Sequence, residues 1–279
     1  MYGYPQLNKP LDIFMINFEH MFLSTNQIHS FFADDIGNAD NGIGTGFWIT
    51  HKSQYVFVTN RHMVDYEFCK NKQNFNLCKL MFWLRNDKNL LSKPQKYELN
   101  LSSLKILTHE TADVAILYNI DVINPNNDFI HTTLSIVDGS LADENFFQTM
   151  LRPADNCIFI GYPHDWWDEA TGLPIVRLAN LASWPKIDFI NKSIKSTNVR
   201  LTAGLSFSGS SGSPIMNKGT EFEAGNGLTI TGLVPPKIIG VMAGHWWDKW
   251  HITPPPMFQH SGLSYFVTST VIHDLLKNI

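Results

Sequence analysis

The chain has 279 residues, 44% of them hydrophobic, with 21 Lys and Arg against 25 Asp and Glu and a formal net charge of −4. That apolar content suffices for a sizeable core, in one domain or in two compact halves, and the slightly acidic balance leaves no basic footprint for nucleic acid. No run approaches the roughly 20 apolar residues that a membrane-crossing helix needs, and the opening Met1-Tyr-Gly-Tyr-Pro-Gln-Leu-Asn-Lys-Pro10 lacks the charged-then-apolar order of a secretion signal.

In chain order, short β-branched and aromatic runs separated by turn residues predict strands over 28–33, 46–50, 55–58, 80–84, 97–101 and 114–118. Asp121-Val-Ile-Asn-Pro-Asn-Asn-Asp128 is a turn-rich connection, which puts a boundary within 121–150. Strands follow over 157–161, 175–181, 198–202, 228–233, 237–242 and 264–267. Val271, Ile272, Leu275, Leu276 and Ile279 share one face of a closing helix that should pack against the strands. The expected architecture is all-β, two six-stranded antiparallel barrels with a C-terminal α-helix. Residues 1–120 would form the N-terminal segment and first barrel, 121–150 the connection, and 151–279 the second barrel and helix.

Three segments carry chemistry. In Gly209-Ser-Ser-Gly-Ser-Pro214, a serine sits among glycines whose amides can crowd a reacting carbonyl. Gly/Ser runs are more often flexible turns, so the motif needs partners. A serine hydroxyl attacks a carbonyl only when a base takes its proton, and the oxyanion that forms needs fixed N–H donors about 3 Å away. Ser211 is the candidate nucleophile, with the Gly209 and Ser211 amides as donors. His62 is the candidate base, at the polar end of the apolar run Tyr55-Val-Phe-Val-Thr59 and just after Gly44-Thr-Gly-Phe-Trp-Ile-Thr50. Asp113 is the candidate acid that orients it, opening the apolar run Val114-Ala-Ile-Leu117. The order His, Asp, Ser, with Pro214-Ile-Met216 leading into a strand, excludes the α/β-hydrolase arrangement, which runs Ser, Asp, His with a helix behind the nucleophile.

These blocks resemble those of the chymotrypsin-like serine proteases, in particular the disulfide-free bacterial trypsin-like branch. Thr59-Asn-Arg-His62 is similar to the family's Thr-Ala-Ala-His, Ala112-Asp-Val-Ala115 to its Asp-(Ile/Val)-Ala-Leu, and Gly209 to Pro214 to its Gly-Asp-Ser-Gly-Gly-Pro. The resemblance covers most of the chain, with further echoes at Ile160-Gly-Tyr-Pro163, Gly240-Val-Met-Ala-Gly244 and Gly262-Leu-Ser-Tyr-Phe-Val267. It implies a double barrel and a serine endopeptidase acting through His62, Asp113 and Ser211 on protein or peptide substrates, with no cofactor. It also implies a specificity pocket formed by Leu205, Ala243, Gly244 and His245. Leu205 stands where Lys- and Arg-specific relatives carry an acid, so cleavage after apolar or small uncharged residues is expected, with Gln or Glu as the lesser possibility. Ser210 replaces the aspartate that pairs with a newly cut N-terminus in digestive relatives, which points to control by loops, substrate presentation or a regulatory partner. The alternatives are a protease-like binding module, an inactive relative, or an esterase with the same triad.

Three cysteines, Cys69, Cys78 and Cys157, cannot make a disulfide framework, and Met63 follows His62 where secreted relatives carry a cysteine. A cytoplasmic protein with reduced thiols and no membrane association is expected. Two tryptophan-rich loops, His164 to Asp168 and His245 to His251, are expected to anchor loops or line a cleft. A metal site from His245, Asp248 and His251 is disfavoured because that spacing does not enforce convergence.

Overall fold

The computed structural model describes residues 18–70, 74–84, 93–123, 136–219, 221–224, 228–231, 234–250 and 257–279. The first half runs α1 (Phe18–Leu23), β1 (Thr25–Ala33), β2 (Ala39–His51), β3 (Gln54–Thr59), α2 (Tyr66–Lys70), β4 (Asn76–Leu84), β5 (Gln95–Leu99), β6 (Lys105–Thr108), β7 (Ala115–Tyr118), β8 (Val122–Ile123) and β9 (Ile136–Val137). The second runs α3 (Glu144–Thr149), β10 (Asn156–Gly161), β11 (Ile175–Leu181), β12 (Val199–Ala203), β13 (Pro214–Asn217), β14 (Glu221–Ala224), β15 (Leu228–Thr231), β16 (Ile238–Trp250), β17 (Met257–Thr268) and α4 (Thr270–Leu276).

The fold is mostly β rather than all-β, with α1–α3 besides the expected C-terminal helix, and of the two expected barrels one is closed among the described residues. In the second, β10-β11-β12-β17-β16-β13 form a closed antiparallel barrel of six strands. In the first, one nine-stranded sheet runs β6-β7-β3-β2-β1-β4-β5-β8, with β9 pairing parallel to β2. Among the described residues this sheet does not close. The sixth strand of the barrel is β13, not the run expected over 228–233. Residues 228–231 instead pair with β14 in a separate hairpin, and 232–233 lie outside the described residues. The run Pro214–Asn217, expected to lead from the serine turn into a strand, is itself that strand, flanked by β10 and β16 and buried throughout.

Period-2 alternation divides the strands of both halves between packing layers. On β2, Phe47 and Ile49 face one way and Trp48 the other; on β3, Val56 and Val58 oppose Phe57. Trp48, Phe57 and Phe82 form an edge-to-face and tilted aromatic cluster, with centroids 4.3–5.8 Å apart, inside the first half. The opposite faces meet Ile158, Ile160, Met216, Val241 and Val267 of the barrel in one shared core. On β10, Cys157 and Phe159 turn into a third cluster beneath α3. Each such side chain, fully buried, contributes on the order of 1.5–3 kcal/mol from area removed from water. The closing helix is as expected: Val271, Ile272, Leu275 and Leu276 are buried in the shared core, with Ile279 packed against it.

Candidate active site

The site lies where the first sheet meets the barrel, and Thr45 on β2 is its keystone. Its N–H donates to the Ser211 carbonyl (2.7 Å) and its hydroxyl to the Gly209 carbonyl (2.7 Å). Its own carbonyl accepts from the Thr59 hydroxyl (2.7 Å), and its hydroxyl oxygen accepts from the Tyr162 N–H (3.1 Å). One buried residue, through its main chain and its hydroxyl together, therefore ties the serine loop to the end of β3, three residues before His62. The glycines on either side make room. A Cβ on Gly44 would lie 2.7 Å from Met63 Sδ and 3.1 Å from the Ser211 carbonyl oxygen, so the histidine and serine loops converge on a residue without a side chain.

His62 sits in a single 3-10 turn, Arg61–Met63, at the end of β3. Asp113, 5% exposed, precedes β7 by two residues rather than opening it. Its carboxylate grips the histidine twice: Oδ2 pairs with His62 Nδ1 at 2.7 Å, and Oδ1 accepts the His62 main-chain N–H at 2.9 Å. Burial disfavours an imidazolium here, but the Asp113 charge and hydrogen bond outweigh it, so the His62 pKa is raised above its ordinary value. The Asp113 peptide is held as well. Its carbonyl accepts from Asn60 Nδ2 (2.7 Å) and its N–H donates to the Ser196 hydroxyl (2.9 Å).

Ser211 lies on the wall of a cavity of about 200 Å³. Around it, Ser210 N–H donates to the Phe207 carbonyl (2.9 Å), Ser213 N–H to the Ser210 carbonyl (3.0 Å), and Gly212 N–H to the Met242 carbonyl on β16 (2.9 Å). Gly209 and Gly212 take φ of +86° and +89°, which only glycine adopts without strain. Among the described residues, neither the Gly209 N–H nor the Ser211 N–H donates a hydrogen bond, and none joins the Ser211 hydroxyl to His62. The buried Ser210 hydroxyl accepts from the Phe207 N–H (3.2 Å), so a neutral local hydrogen bond occupies this position.

The cavity is lined by Ser206, Phe207, Ser208 and Ser210 on one side, and by Met242, Gly244, His245 and Tyr265 on the other. Of the expected pocket residues, Gly244 and His245 are there. Leu205 is not: its side chain is half-exposed, its carbonyl accepts from Arg177 Nη1 (2.6 Å), and Ser206 and Phe207 line the cavity in its place. Ala243 is turned into the shared core. His245 lies 3.4 Å from the Ser206 hydroxyl and stacks on His260 with centroids 4.7 Å apart. Burial, then the proximity of His260 and His164, pushes its pKa down to about 4.

The run expected as a second tryptophan-rich loop is, through Trp250, the continuation of β16. Trp246 packs against Phe189 and Tyr265. In the first tryptophan-rich segment, Trp167 meets Trp83 edge-on at 4.7 Å, a loop anchor, whereas Trp166 is largely exposed. Among the described residues no three His, Cys, Asp or Glu side chains converge as metal ligands. His251 and the Asp248 side chain lie outside what is described. Cys78 and Cys157 are free thiols, and burial pushes Cys157 up to about 12, which makes it inert at neutral pH. No helix among the described residues is long and apolar enough to cross a membrane.

Reading the residues alone missed Thr45, Asn60 and Ser196. Thr45 carried a signal, a polar residue between two glycines just before the apolar run Phe47-Trp48-Ile49. The other two act through hydrogen bonds across long sequence separations, for which spacing holds no clue. No protein-family model matches this chain, and no curated protein matches it either.

Proposed function

We propose that this protein is a serine endopeptidase of the chymotrypsin-like kind, its nine-stranded sheet standing in the place of that family's first barrel. The observation that carries the reading is the two-point grip of Asp113 on His62 beside a cavity whose wall bears Ser211. A carboxylate that accepts from Nδ1–H fixes the tautomer that leaves Nε2 as the proton acceptor.

In this mechanism Ser211 Oγ attacks the substrate carbonyl while its proton passes to His62 Nε2. The Asp113 carboxylate stabilises the imidazolium, and the carbonyl oxygen, now an oxyanion, accepts from the Gly209 and Ser211 N–H groups. His62 then protonates the departing amine, the C–N bond breaks, and an ester to Ser211 remains. Water, deprotonated by His62, adds to that ester, and collapse of the second tetrahedral species releases the acid and returns the proton to Ser211. The free N–H groups of Gly209 and Ser211 support the oxyanion role.

The test combines a fluorophosphonate probe with a peptide-library digest. Labelling that disappears in Ser211→Ala, together with cleavage of peptide bonds, is the expected result. Labelling without peptide cleavage would favour the esterase, and no labelling of a folded protein would favour the binding module.

A further inference from the structure

The segment between β11 and β12 crosses from the barrel to the other half of the candidate site. Its Thr197 N–H donates to the Thr111 carbonyl (3.0 Å), and the two threonine hydroxyls are 2.9 Å apart. The Ser196 hydroxyl accepts the Asp113 N–H at 2.9 Å and donates onward to the Thr197 carbonyl at 3.0 Å. The same strap reaches the strand beside the cavity: Trp246 Nε1 donates to the Ser193 hydroxyl (3.3 Å), and Phe189 packs edge-on against the Trp246 ring (5.8 Å).

These contacts matter because of what else holds Asp113. Both carboxylate oxygens are committed to His62 and the peptide carbonyl to Asn60. Both of those partners belong to the turn after β3. Among the described residues, Ser196 alone hydrogen-bonds the acid from outside that turn, and it does so at the peptide N–H, where a small rotation swings the whole side chain.

We propose that Ser196 is a positioning residue for the triad acid, and that the strap carrying it ties the Asp113 main chain to the cavity strand through Ser193 and Trp246. Ser196 touches neither substrate nor reacting atoms; it acts by holding Asp113 in register with His62. The inference rests on the peptidase reading for its effect on rate, but the geometry it describes is independent of the reaction.

The experiment compares Ser196→Thr with Ser196→Val, two side chains of nearly equal volume that differ in the hydroxyl. Two quantities are read: hydrolysis of a peptide substrate, and the titration of the His62 ring by NMR. Thr should keep both near wild type. Val should lower kcat by about tenfold or more with KM within about twofold, since small misplacements of catalytic groups are costly in rate. It should also move the His62 midpoint downward, because a displaced Asp113 raises it less. The other groups around this turn, Arg61, His109 and Glu110, and Lys192 and Lys195 of the strap, are the same in every variant. Thr and Val variants that melt alike and titrate alike would overturn the proposal. So would a Val variant whose kcat falls while the His62 midpoint stays put. If wild type hydrolyses no peptide, the peptidase reading fails, and the His62 titration still decides the role of Ser196.

Discussion

The N–H of Thr45 donates to the carbonyl of Ser211 at 2.7 Å, so the candidate nucleophile hangs from a strand of the other half of the molecule. The loop fits there because Gly212, at φ +89°, packs directly on the Thr45 carbonyl, where a Cβ would overlap the oxygen. The site is thus a product of the interface between the sheet and the barrel, and not of either alone.

Gly212→Ala tests that packing. An L-residue in this backbone region costs roughly 1–2 kcal/mol before any clash, and here the neighbour is main chain that cannot turn aside. A loss of at least about 2 kcal/mol in denaturant unfolding is expected, with hydrolysis reduced in the fraction that remains folded. A variant as stable as wild type would mean that the Ser211 loop does not sit against β2 as described.

Ser211→Ala and His62→Ala should each leave thermal unfolding near wild type and lower kcat/KM by at least about 10⁴-fold. Neither side chain is part of a core cluster, so no large cavity is created. The double variant should be little worse than either single one, because groups that act as a unit do not add. Hydrolysis surviving in folded Ser211→Ala would remove this serine from the mechanism.

Dependence on pH follows from the raised pKa of His62. A base works when neutral, so kcat/KM should climb with pH along a limb whose midpoint lies above the ordinary histidine value of about 6.5. Asp113→Asn should lower the rate by about 10⁴-fold and bring the His62 midpoint down. Stability has the opposite sense. With the folded-state pKa above the unfolded one, the contribution of the pair is fully present below the unfolded value and fades as pH rises through the folded one. A His62 midpoint that Asp113→Asn leaves unchanged would contradict this account.

Specificity should exclude charge. Among the described residues no carboxylate lines the cavity, so a Lys or Arg side chain would be buried there without a partner. His245, with its pKa near 4, is a neutral imidazole at pH 7 and offers a hydrogen bond but no cation to a carboxylate. The Ser206 hydroxyl lies beside it, and Ser208, Ser210, Ser211 and Tyr265 add further hydroxyls to the cavity lining. Library digestion at pH 7 should show cleavage after small or uncharged residues, with Gln ahead of Glu. Acceptance of Glu should improve only as pH falls toward 4, where His245 gains charge and Glu begins to lose it. A dominant taste for Lys or Arg would mean that an acid reaches the cavity from elsewhere.

Much of this was legible in the sequence because the responsible forces are local. Short apolar, β-branched and aromatic runs bounded by turn residues marked most of the strands, among them those that carry Phe47, Trp48, Val56 and Phe57, while the packing layer each side chain enters came from the fold. The spacing of Val271, Ile272, Leu275 and Leu276 likewise specified the closing helix and its buried face. His62, Asp113 and Ser211 stood out because each joins a reactive side chain to a strand end or a glycine turn. Tertiary structure alone decided that β13, only four residues long, closes the barrel while 228–231 pair elsewhere, since strand partnership is a contest among non-local alternatives. It alone turned Leu205 outward and put Ser206 and Phe207 in the cavity wall, because one step along a chain reverses a side chain's direction. And it alone recruited Thr45, Asn60 and Ser196, whose hydrogen bonds join segments that only the folded chain brings within 3 Å.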